Sequence, residues 1–460
     1  MLSLCHKNLA MKQNMKKLLT SLLFIICAIS VMAQNNENCF GIIAGRAATV
    51  DGTVLMGHNE DDSGEQMLNI YVSNSTKHGT AKYIWAEFPK MEQADALMNE
   101  HGVCVASDGC SSKEETEDFT EGGILYDVRV NVAKFATSAR HAAELIGEMV
   151  EKYGYRGSGR TYLVADPTEG WIVSVVKGRH WVARRVPDDK VMLIPNYYVI
   201  DKVDLSDKEN FLGSADIIDY AIKKGWYDPE KDGEFSFRNA YASPKTISSN
   251  HNINRHRHAL NYISGGNYDY SWETMEAMVT PAKKVDMDDL KAILSIHTEA
   301  TEDSSHPQLI CRNNTIVCTI FQLRNDLPRE IGCVMWAAAG RPCTEAFIPW
   351  YLGMSESPAG WHRFETPSEA YQKHLTDTEN LRLNYPHSNY WKCVDHWNAI
   401  AADYAGNIGK WKSSLKNFQN MVDREQASFE KKLLKADPKD WAGMMNHYTA
   451  NWYRKYFKMF

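Results

Sequence analysis

Strand-like apolar runs in this 460-residue chain occur in groups rather than alternating one by one with helices. Three of them follow a helical pattern over residues 138–153, in which Leu145, Met149 and Tyr153 recur at steps of four. Grouped strands of this kind predict an α+β protein with stacked sheets beneath covering helices, not a βαβ alternation. The predicted strands are residues 161–166, 171–177, 180–186, 315–323 and 331–338.

The first strand-like run begins at Cys39, and the second ends in a polar segment that begins at His58. Asp51 and Gly52 lie between the two runs, and Asp-Gly is a strong signal for a two-residue hairpin turn. Pairing the strands about that turn places Cys39 opposite roughly Gly64. The hairpin therefore returns the polar segment to the beginning of the first strand.

The N-terminal region has the features of a secretory signal. Two lysines precede an apolar run from Leu18 to Ala33, which is short for a membrane span and ends in small residues. We therefore expect residues 1–33 to form a signal peptide and residues 34–38 a short propeptide. No second apolar stretch of spanning length follows, so we expect a secreted or periplasmic protein with no membrane attachment after signal removal.

Apolar residues recur at steps of three and four over residues 397–422 and again over residues 441–456. This periodicity predicts amphipathic helices. We expect residues 366–460 to be a helical extension packed on a domain that spans residues 39–365. The formal charge of −7 is spread without a basic stripe, which argues against a nucleic-acid partner. The sequence leaves the oligomeric state open, including a homo-oligomer.

Common hydrolase and nucleotide-binding motifs are absent from the sequence, among them the G-x-S-x-G elbow and the P-loop. The pair His256 and His258 has no cysteine or carboxylate at ligand spacing, so we predict neither a metal nor a cofactor. Cys39 lies six residues beyond the predicted signal cleavage site. Removal of the intervening residues would expose its α-amine, whose pKa of roughly 7.7–8.0 suits a base for the adjacent thiol. The alternative is a buried or disulfide-bonded cysteine in a first strand.

An ordered set of segments runs from residue 39 to about residue 360: Cys39, Asp51-Gly52, His58–Asp61, Met98–Val103, Ala165–Pro167, Gly178–Trp181, Pro195–Tyr197, His297–Thr301, Gln322–Gly332 and Phe347–Gly353. Together these segments resemble the C69 dipeptidases of the N-terminal-nucleophile (Ntn) hydrolase superfamily. The resemblance implies a four-layer αββα sandwich. It also implies a cysteine peptidase that acts on small peptides without a cofactor.

The resemblance further implies roles for individual residues. Cys39 would be the nucleophile and, through its amine, the base, while Asp61 would hold that amine. Asn196 would offer its side-chain amide to the oxyanion, beside backbone N–H groups. Arg255 is the first choice for an arginine that holds a carboxylate or steadies the site, and Arg257 is the alternative.

Two positions depart from the family pattern. His58 stands where the pattern usually has an arginine, so the cation beside the thiol becomes dependent on pH or absent. Ser107-Asp108 lies where related enzymes offer an asparagine to the oxyanion hole. We expect His58, Ser107 and Arg257 to contact the substrate. The alternatives to a dipeptidase are an Ntn amidase for bile-salt conjugates or N-acyl amino acids, and an inactive secreted binding protein.

Overall fold

The computed structural model describes residues 39–62, 67–73, 82–87, 94–125, 127–266, 277–297, 309–361 and 381–460. The predicted signal peptide, the predicted propeptide and the boundary between residues 365 and 366 lie outside the described residues. Most of the His297–Thr301 segment lies outside them as well. These assignments stay predictions.

The strands of the described residues form two antiparallel sheets. The strands are β1 Phe40–Ala44, β2 Val54–Asp61, β3 Asn69–Ser73, β4 Tyr83–Glu87, β5 Ala94–Asn99, β6 Cys104–Gly109, β7 Tyr155–Ala165, β8 Gly170–Gly178, β9 Trp181–Val186, β10 Val191–Ile194, β11 Phe211–Gly213, β12 Met278–Val279, β13 Thr315–Leu323, β14 Cys333–Ala338 and β15 Ile348–Tyr351. One sheet has the order β12-β10-β1-β2-β13-β14-β15, and the other has the order β11-β9-β8-β7-β6-β5-β4-β3.

The α-helices of the described residues lie before, between and after these strands. They are α1 Asp127–Phe135, α2 Ala139–Tyr153, α3 Ile217–Lys223, α4 Phe237–Tyr241, α5 Pro244–Ile247, α6 Asn250–Ser264, α7 Met287–Leu294, α8 Arg329–Gly332, α9 Leu381–Asn384, α10 Tyr390–Ala401, α11 Tyr404–Leu433 and α12 Trp441–Tyr456. A single 3₁₀ turn, Pro438–Asp440, precedes α12.

The two sheets pack face to face, with β1 and β2 of the seven-stranded sheet against β6 and β7 of the eight-stranded sheet. Helices α1 and α2 cover the eight-stranded sheet, whereas α6, α7 and α12 cover the seven-stranded sheet. The layers therefore follow the order helix, sheet, sheet, helix. This arrangement confirms the predicted α+β class and the four-layer αββα sandwich.

Helix α2 illustrates how the local sequence defines these layers. The side chain of Ser138 accepts a hydrogen bond from the backbone N–H of His141, which caps the first turn. Gly154, with a φ of 79°, ends the helix in a conformation that disfavours other residues. Ile146 and Val150 are buried one turn apart against the eight-stranded sheet. The helix predicted over residues 138–153 is confirmed.

The first hairpin pairs in a different register from the predicted one. Phe40 lies opposite Asn59. Extending this register by one residue places Cys39 beside Glu60, not beside Gly64. The polar segment of β2 therefore meets the nucleophile candidate four residues earlier in the chain than expected.

The longer connection between β1 and β2, residues 45–53, explains the shift in register. The backbone N–H groups of Ala47 and Ala48 donate to the carbonyl oxygen of Asp188 at 2.7 and 2.8 Å, so the turn after β9 holds this loop. The side chain of Asp51 accepts from the N–H of Thr53 at 3.1 Å. The Asp-Gly pair thus belongs to a broad loop and does not form a two-residue turn.

Helix α12 packs on β15 at the edge of the seven-stranded sheet. Oγ1 of Thr449 donates to the carbonyl of Pro349 at 2.8 Å, and Nε1 of Trp350 donates to the hydroxyl of Tyr453 at 3.0 Å. The periodic stretch over residues 397–422 falls on α10 and α11, with a break between them. None of the helices in the described parts of the chain is long and apolar enough to cross a membrane.

Candidate active site

Cys39 lies directly before β1, an interior strand of the seven-stranded sheet. The residue is only 1% exposed, and its thiol forms no disulfide. Its carbonyl oxygen accepts a hydrogen bond from Nη1 of Arg255, on α6, at 2.9 Å. The thiol is therefore held inside the sandwich at the end of a central strand.

The side chains of β2 alternate between the two faces of its sheet. Gly41 pairs with His58, and a Cβ atom on Gly41 would lie 2.8 Å from Oδ2 of Asp108 in the opposite sheet. His58 thus faces the other sheet, where the glycine leaves room for Asp108. Asn59 points to the helical layer, where its Nδ2 donates to the carbonyl of Leu294 at 2.9 Å. The two residues that follow continue this alternation.

Three side chains that carry reactive or titratable groups converge on the face between the sheets. One ligand-type atom from each of Cys39, His58 and Glu60 lies within 4.8 Å of the other two. Asp108, on β6, places Oδ1 at 3.3 Å from Nε2 of His58. All four residues are buried. Groups from both sheets therefore set the electrostatic environment of the thiol.

Burial and negative charge keep the Cys39 thiol protonated. Burial is the largest cause of its raised pKa, followed by the carboxylates of Glu60, Asp108 and Asp61. A hydrogen bond from the backbone of Asp61 lowers that pKa. Because the thiolate is the reactive form, attack by this sulfur requires a base or a cation close to it.

Asp61 lies on the face of β2 that meets the helical layer. Oγ1 of Thr315, on the paired strand β13, donates to its Oδ1 at 2.5 Å, and Nη1 of Arg312 lies 4.0 Å from its Oδ2. Burial raises the pKa of Asp61 to about 6, while Arg312 and Thr315 act in the opposite direction. These contacts orient the carboxylate before any ligand binds.

Arg255 connects Cys39 to Asn196, which lies in the loop after β10. Nη2 of Arg255 donates to Oδ1 of Asn196 at 2.5 Å and to Oδ1 of Asn252 at 3.1 Å. Nδ2 of Asn196 donates to the carbonyl of Gly109 at 3.1 Å. Burial lowers the pKa of Arg255 to about 10, so the guanidinium remains charged at neutral pH.

The structure brings five of the predicted site residues into this one cluster. Arg255 touches the backbone of Cys39 and the side chain of Asn196. The charge of His58 and that of Arg255 both act on the Asp61 carboxylate. The cluster contains a nucleophile, a carboxylate and a side-chain amide, which are groups that acyl transfer uses. The catalytic roles of these residues stay predictions.

Two predicted substrate contacts lie elsewhere. Ser107 accepts hydrogen bonds from Nη1 of Arg129 at 3.1 Å and of Arg160 at 3.0 Å, on the face of β6 that meets the helices. Because side chains alternate along a strand, Asp108, the next residue of β6, points toward the thiol instead. Arg257 follows Arg255 by two positions, about 200° around α6, so it points away from Cys39.

Glu60, Asp108 and Arg312 belong to the cluster but were not among the predicted site residues. Glu60 has a signal in the sequence, because it alternates with His58 on one strand. Asp108 directly follows Ser107. Because neighbouring residues of a strand face opposite sides of the sheet, a shift of one residue decides which of the two faces the thiol. Arg312 reaches Asp61 from 251 positions along the chain, and no local pattern indicates that contact.

The chain is similar in sequence to a known family of peptidases. The family model of Peptidase family C69 matches residues 73–403, a span that begins after Cys39. "Probable dipeptidase" of Salmonella dublin is 26% identical over 367 residues, which covers 70% of this chain and 82% of the relative. "Dipeptidase A" of Lactobacillus helveticus is 25% identical over 373 residues, covering 71% and 78%. "Probable dipeptidase B" of Streptococcus pyogenes serotype M1 is 25% identical over 476 residues, covering 92% and 91%.

Solved structures give weaker similarities. Penicillin V acylase from Agrobacterium tumefaciens has a TM-score of 0.38 and 12% identity, covering 68% of this chain and 86% of that structure. A mutant of conjugated bile acid hydrolase from Clostridium perfringens has a TM-score of 0.33 and 10% identity, covering 68% and 92%.

Proposed function

Because the chain belongs to peptidase family C69, we propose that it is an exported cysteine dipeptidase whose mature form begins at Cys39. The observation that carries the proposal is the position of Cys39 at the start of an interior strand, next to Asp61 and the Arg255–Asn196 pair. Relatives with dipeptidase names support short peptides as the substrates.

Cleavage before Cys39 supplies the base that the buried thiol requires. The new α-amine has a pKa of roughly 7.7–8.0 and exchanges protons near neutral pH, whereas the amide of an unprocessed chain does not. The charge of Asp61 acts on the Cys39 thiol, and its carboxylate is the proposed partner of this amine. The proposed maturation is autocatalytic: the thiol attacks the carbonyl of Asn38, the acyl group moves from nitrogen to sulfur, and water releases residues 34–38 of the propeptide.

Hydrolysis of a dipeptide then follows the chemistry of acyl transfer. The amine takes the thiol proton, the sulfur attacks the scissile carbonyl carbon, and the carbonyl oxygen becomes an oxyanion. The protonated amine returns that proton to the leaving amino group as the C–N bond breaks. The same amine deprotonates a water molecule, which attacks the thioester and restores the free thiol.

Asn196 is the proposed side-chain donor to the oxyanion. Its Oδ1 faces the guanidinium of Arg255, which only donates hydrogen bonds, so the orientation of the amide is determined. One proton of Nδ2 is donated to the carbonyl of Gly109, and the second remains for the oxyanion. Arg255 therefore acts as a positioning residue, because it orients Asn196 and holds the carbonyl of Cys39.

A cavity lies near Asp61. It has a volume of about 300 Å³ and shares Thr315 with the Asp61 hydrogen bond. Asp62, Arg341 and Trp397 also line it, so it offers both signs of charge and an aromatic surface. This volume is at the lower end of the range for small-ligand pockets. Cys39 is not among the residues that line the cavity, so the choice of dipeptides as substrates rests on the dipeptidase names of the relatives.

The test is a substrate panel for protein purified after expression of the full chain. We expect hydrolysis of dipeptides by the wild type and by Cys104→Ser, a control that alters another buried thiol. Cys39→Ala should lose the activity. Faster turnover of bile-salt conjugates or N-acyl amino acids would replace the dipeptidase proposal with the amidase alternative. Activity retained in Cys39→Ala would remove Cys39 as the nucleophile.

A further inference from the structure

The proposed peptidase chemistry leaves two neighbours of the thiol without a role. Cys39, His58 and Glu60 offer a sulfur, an imidazole nitrogen and a carboxylate oxygen that all lie within 4.8 Å of one another. His58 and Glu60 occupy the same face of β2 because they are two residues apart. The β1–β2 register brings both to the end of the strand where the thiol lies.

This donor set matches the ligands that proteins use for zinc. Thiolate, imidazole and carboxylate bind zinc at bond lengths of roughly 2.0–2.3 Å in tetrahedral geometry. At those bond lengths two ligand atoms of one zinc ion lie about 3.5 Å apart. The distances between the three ligand atoms, now up to 4.8 Å, therefore need to shorten by about 1 Å. Side-chain rotation within a pocket provides a movement of that size, and the backbone register need not change.

The surroundings of the trio also favour a cation. Oδ1 of Asp108 lies 3.3 Å from Nε2 of His58, the arrangement in which a carboxylate fixes the tautomer of a metal-binding histidine and presents its other nitrogen. Asp61 adds a further negative charge close to the thiol. The nearby cation Arg255 lies on the helix-facing side of β1, where it contacts a backbone carbonyl.

We propose that Cys39, His58 and Glu60 form a binding site for a zinc-type divalent cation, and that the bound cation inhibits the peptidase by occupying the nucleophilic sulfur. Binding releases the thiol proton to solvent as the sulfur–metal bond forms. The fourth ligand is water or, in the matured chain, the α-amine of Cys39. Inhibition rests on the proposed function, whereas binding does not.

Spacing along the chain does not indicate this site. Structural zinc sites in sequences usually pair ligands two to five positions apart in two clusters, and here Cys39 stands 19 positions before His58. The trio becomes apparent only through strand pairing. The sequence alone therefore predicts no metal, because neither His256 and His258 nor this trio shows the usual ligand spacing.

The test is a titration of the purified protein with cobalt(II) chloride, followed by displacement with zinc chloride. A thiolate–cobalt bond produces a charge-transfer absorption in the near ultraviolet, a readout independent of peptidase activity. We expect one cobalt ion per chain and loss of the band on adding zinc. Asp108→Asn, which alters only the residue behind His58, should weaken binding by about 10–100-fold.

Ligand variants then locate the site. Cys39→Ser should remove the charge-transfer band, and His58→Arg and Glu60→Gln should each weaken zinc binding at least tenfold in equilibrium dialysis. Glu60→Gln preserves the shape of the side chain, and circular dichroism checks the fold of each variant. His447→Asn alters an exposed histidine and serves as the matched control, with unchanged binding.

The outcomes separate this proposal from the proposed function. No charge-transfer band in the folded wild type, or an unchanged band in Cys39→Ser or His58→Arg, would overturn the metal site. Cobalt binding with the expected variant pattern in a protein that hydrolyses no dipeptide would support the site and contradict the peptidase function. Hydrolysis that stays unaffected when zinc occupies the site would contradict the inhibitory role.

Discussion

Nε2 of His58 lies 3.3 Å from Oδ1 of Asp108, and this contact joins the two central sheets beside the Cys39 thiol. Both side chains are completely buried. Burial raises the pKa of Asp108, and the neighbouring His58 lowers it. The imidazole of His58 and the carboxylate of Asp108 therefore influence each other's charge on the face of the site between the sheets.

Asp61 is predicted to act by holding the amine of the mature Cys39. Asp61→Asn keeps the shape of the side chain and its contact with Thr315, but removes the charge that binds the ammonium form. We expect kcat to fall about 100-fold, because a misplaced base loses the geometry of proton transfer. Steady-state kinetics on a dipeptide measures the change, and Asp189→Asn, at an exposed aspartate in the turn after β9, is the matched control. Equal losses of kcat in both variants would contradict the role of Asp61.

Arg255 is predicted to be needed for both stability and catalysis. Arg255→Met removes the donors to the Cys39 carbonyl and to the side-chain oxygen of Asn196. Each buried acceptor left without a donor costs about 1–3 kcal/mol of unfolding free energy. We expect a fall in kcat as well, with partial rescue by Arg255→Lys. Urea unfolding and kinetics test this, and a loss of the same size in Arg257→Met would contradict it.

Ser107 is predicted to be structural and not a substrate contact. Ser107→Ala removes the acceptor of hydrogen bonds from Arg129 and Arg160, both buried guanidinium groups. We expect the free energy of unfolding to fall by about 1–3 kcal/mol, with KM for dipeptides unchanged. Chemical denaturation and initial-rate kinetics on the same preparation measure both effects. An increase in KM without a loss of stability would return Ser107 to the substrate site.

His256 is predicted to destabilise the fold in acid. Its Nδ1 lies 2.9 Å from the hydroxyl of Tyr197, and burial lowers its pKa to about 3. An unfolded histidine binds a proton below a pKa of about 6.5, so between these values the unfolded state holds more protons. The free energy of unfolding therefore falls by about 1.4 kcal/mol for each pH unit between about 6.5 and about 3.

The variant His256→Gln removes this contribution. Urea unfolding at several pH values between about 6 and 4 should give a shallower loss of stability in the variant than in the wild type. His258→Gln, which alters an exposed histidine of the same helix, should retain most of the wild-type slope. Equal slopes for His256→Gln and the wild type would contradict the prediction.

Local periodicity predicted some of the regular elements closely, whereas the strand predicted over residues 331–338 begins at Cys333, after a helix that covers Arg329–Gly332. Residues 315–323 and 441–456 were predicted with the boundaries of β13 and α12 as observed. These segments succeed because their apolar patterns are long and their ends carry turn or capping signals. The predicted β1–β2 register was wrong. The loop that determines the observed register is held by the backbone of Asp188, which lies far along the chain.

The part of the candidate site that lies on a single strand was predictable from the sequence. His58 and Asp61 belong to β2, and its pairing with β1 brings them to Cys39. Contacts from distant elements were not predictable in the same way. Asp108 comes from the second sheet and Arg312 from the segment before β13, and their positions depend on how the layers pack. Side chains of β6 alternate between its two faces, so Asp108 faces the thiol and Ser107 faces the helices.

The most direct test of the account is the N-terminal mass of the catalytically active protein after expression of the full chain. The account predicts that every active chain begins at Cys39, with residues 1–38 removed, and that Cys39→Ala retains residues 34–38 in a host without a suitable protease. Full dipeptidase activity in a chain that begins at Gln34 would contradict it, because the thiol would then work without the α-amine as its base.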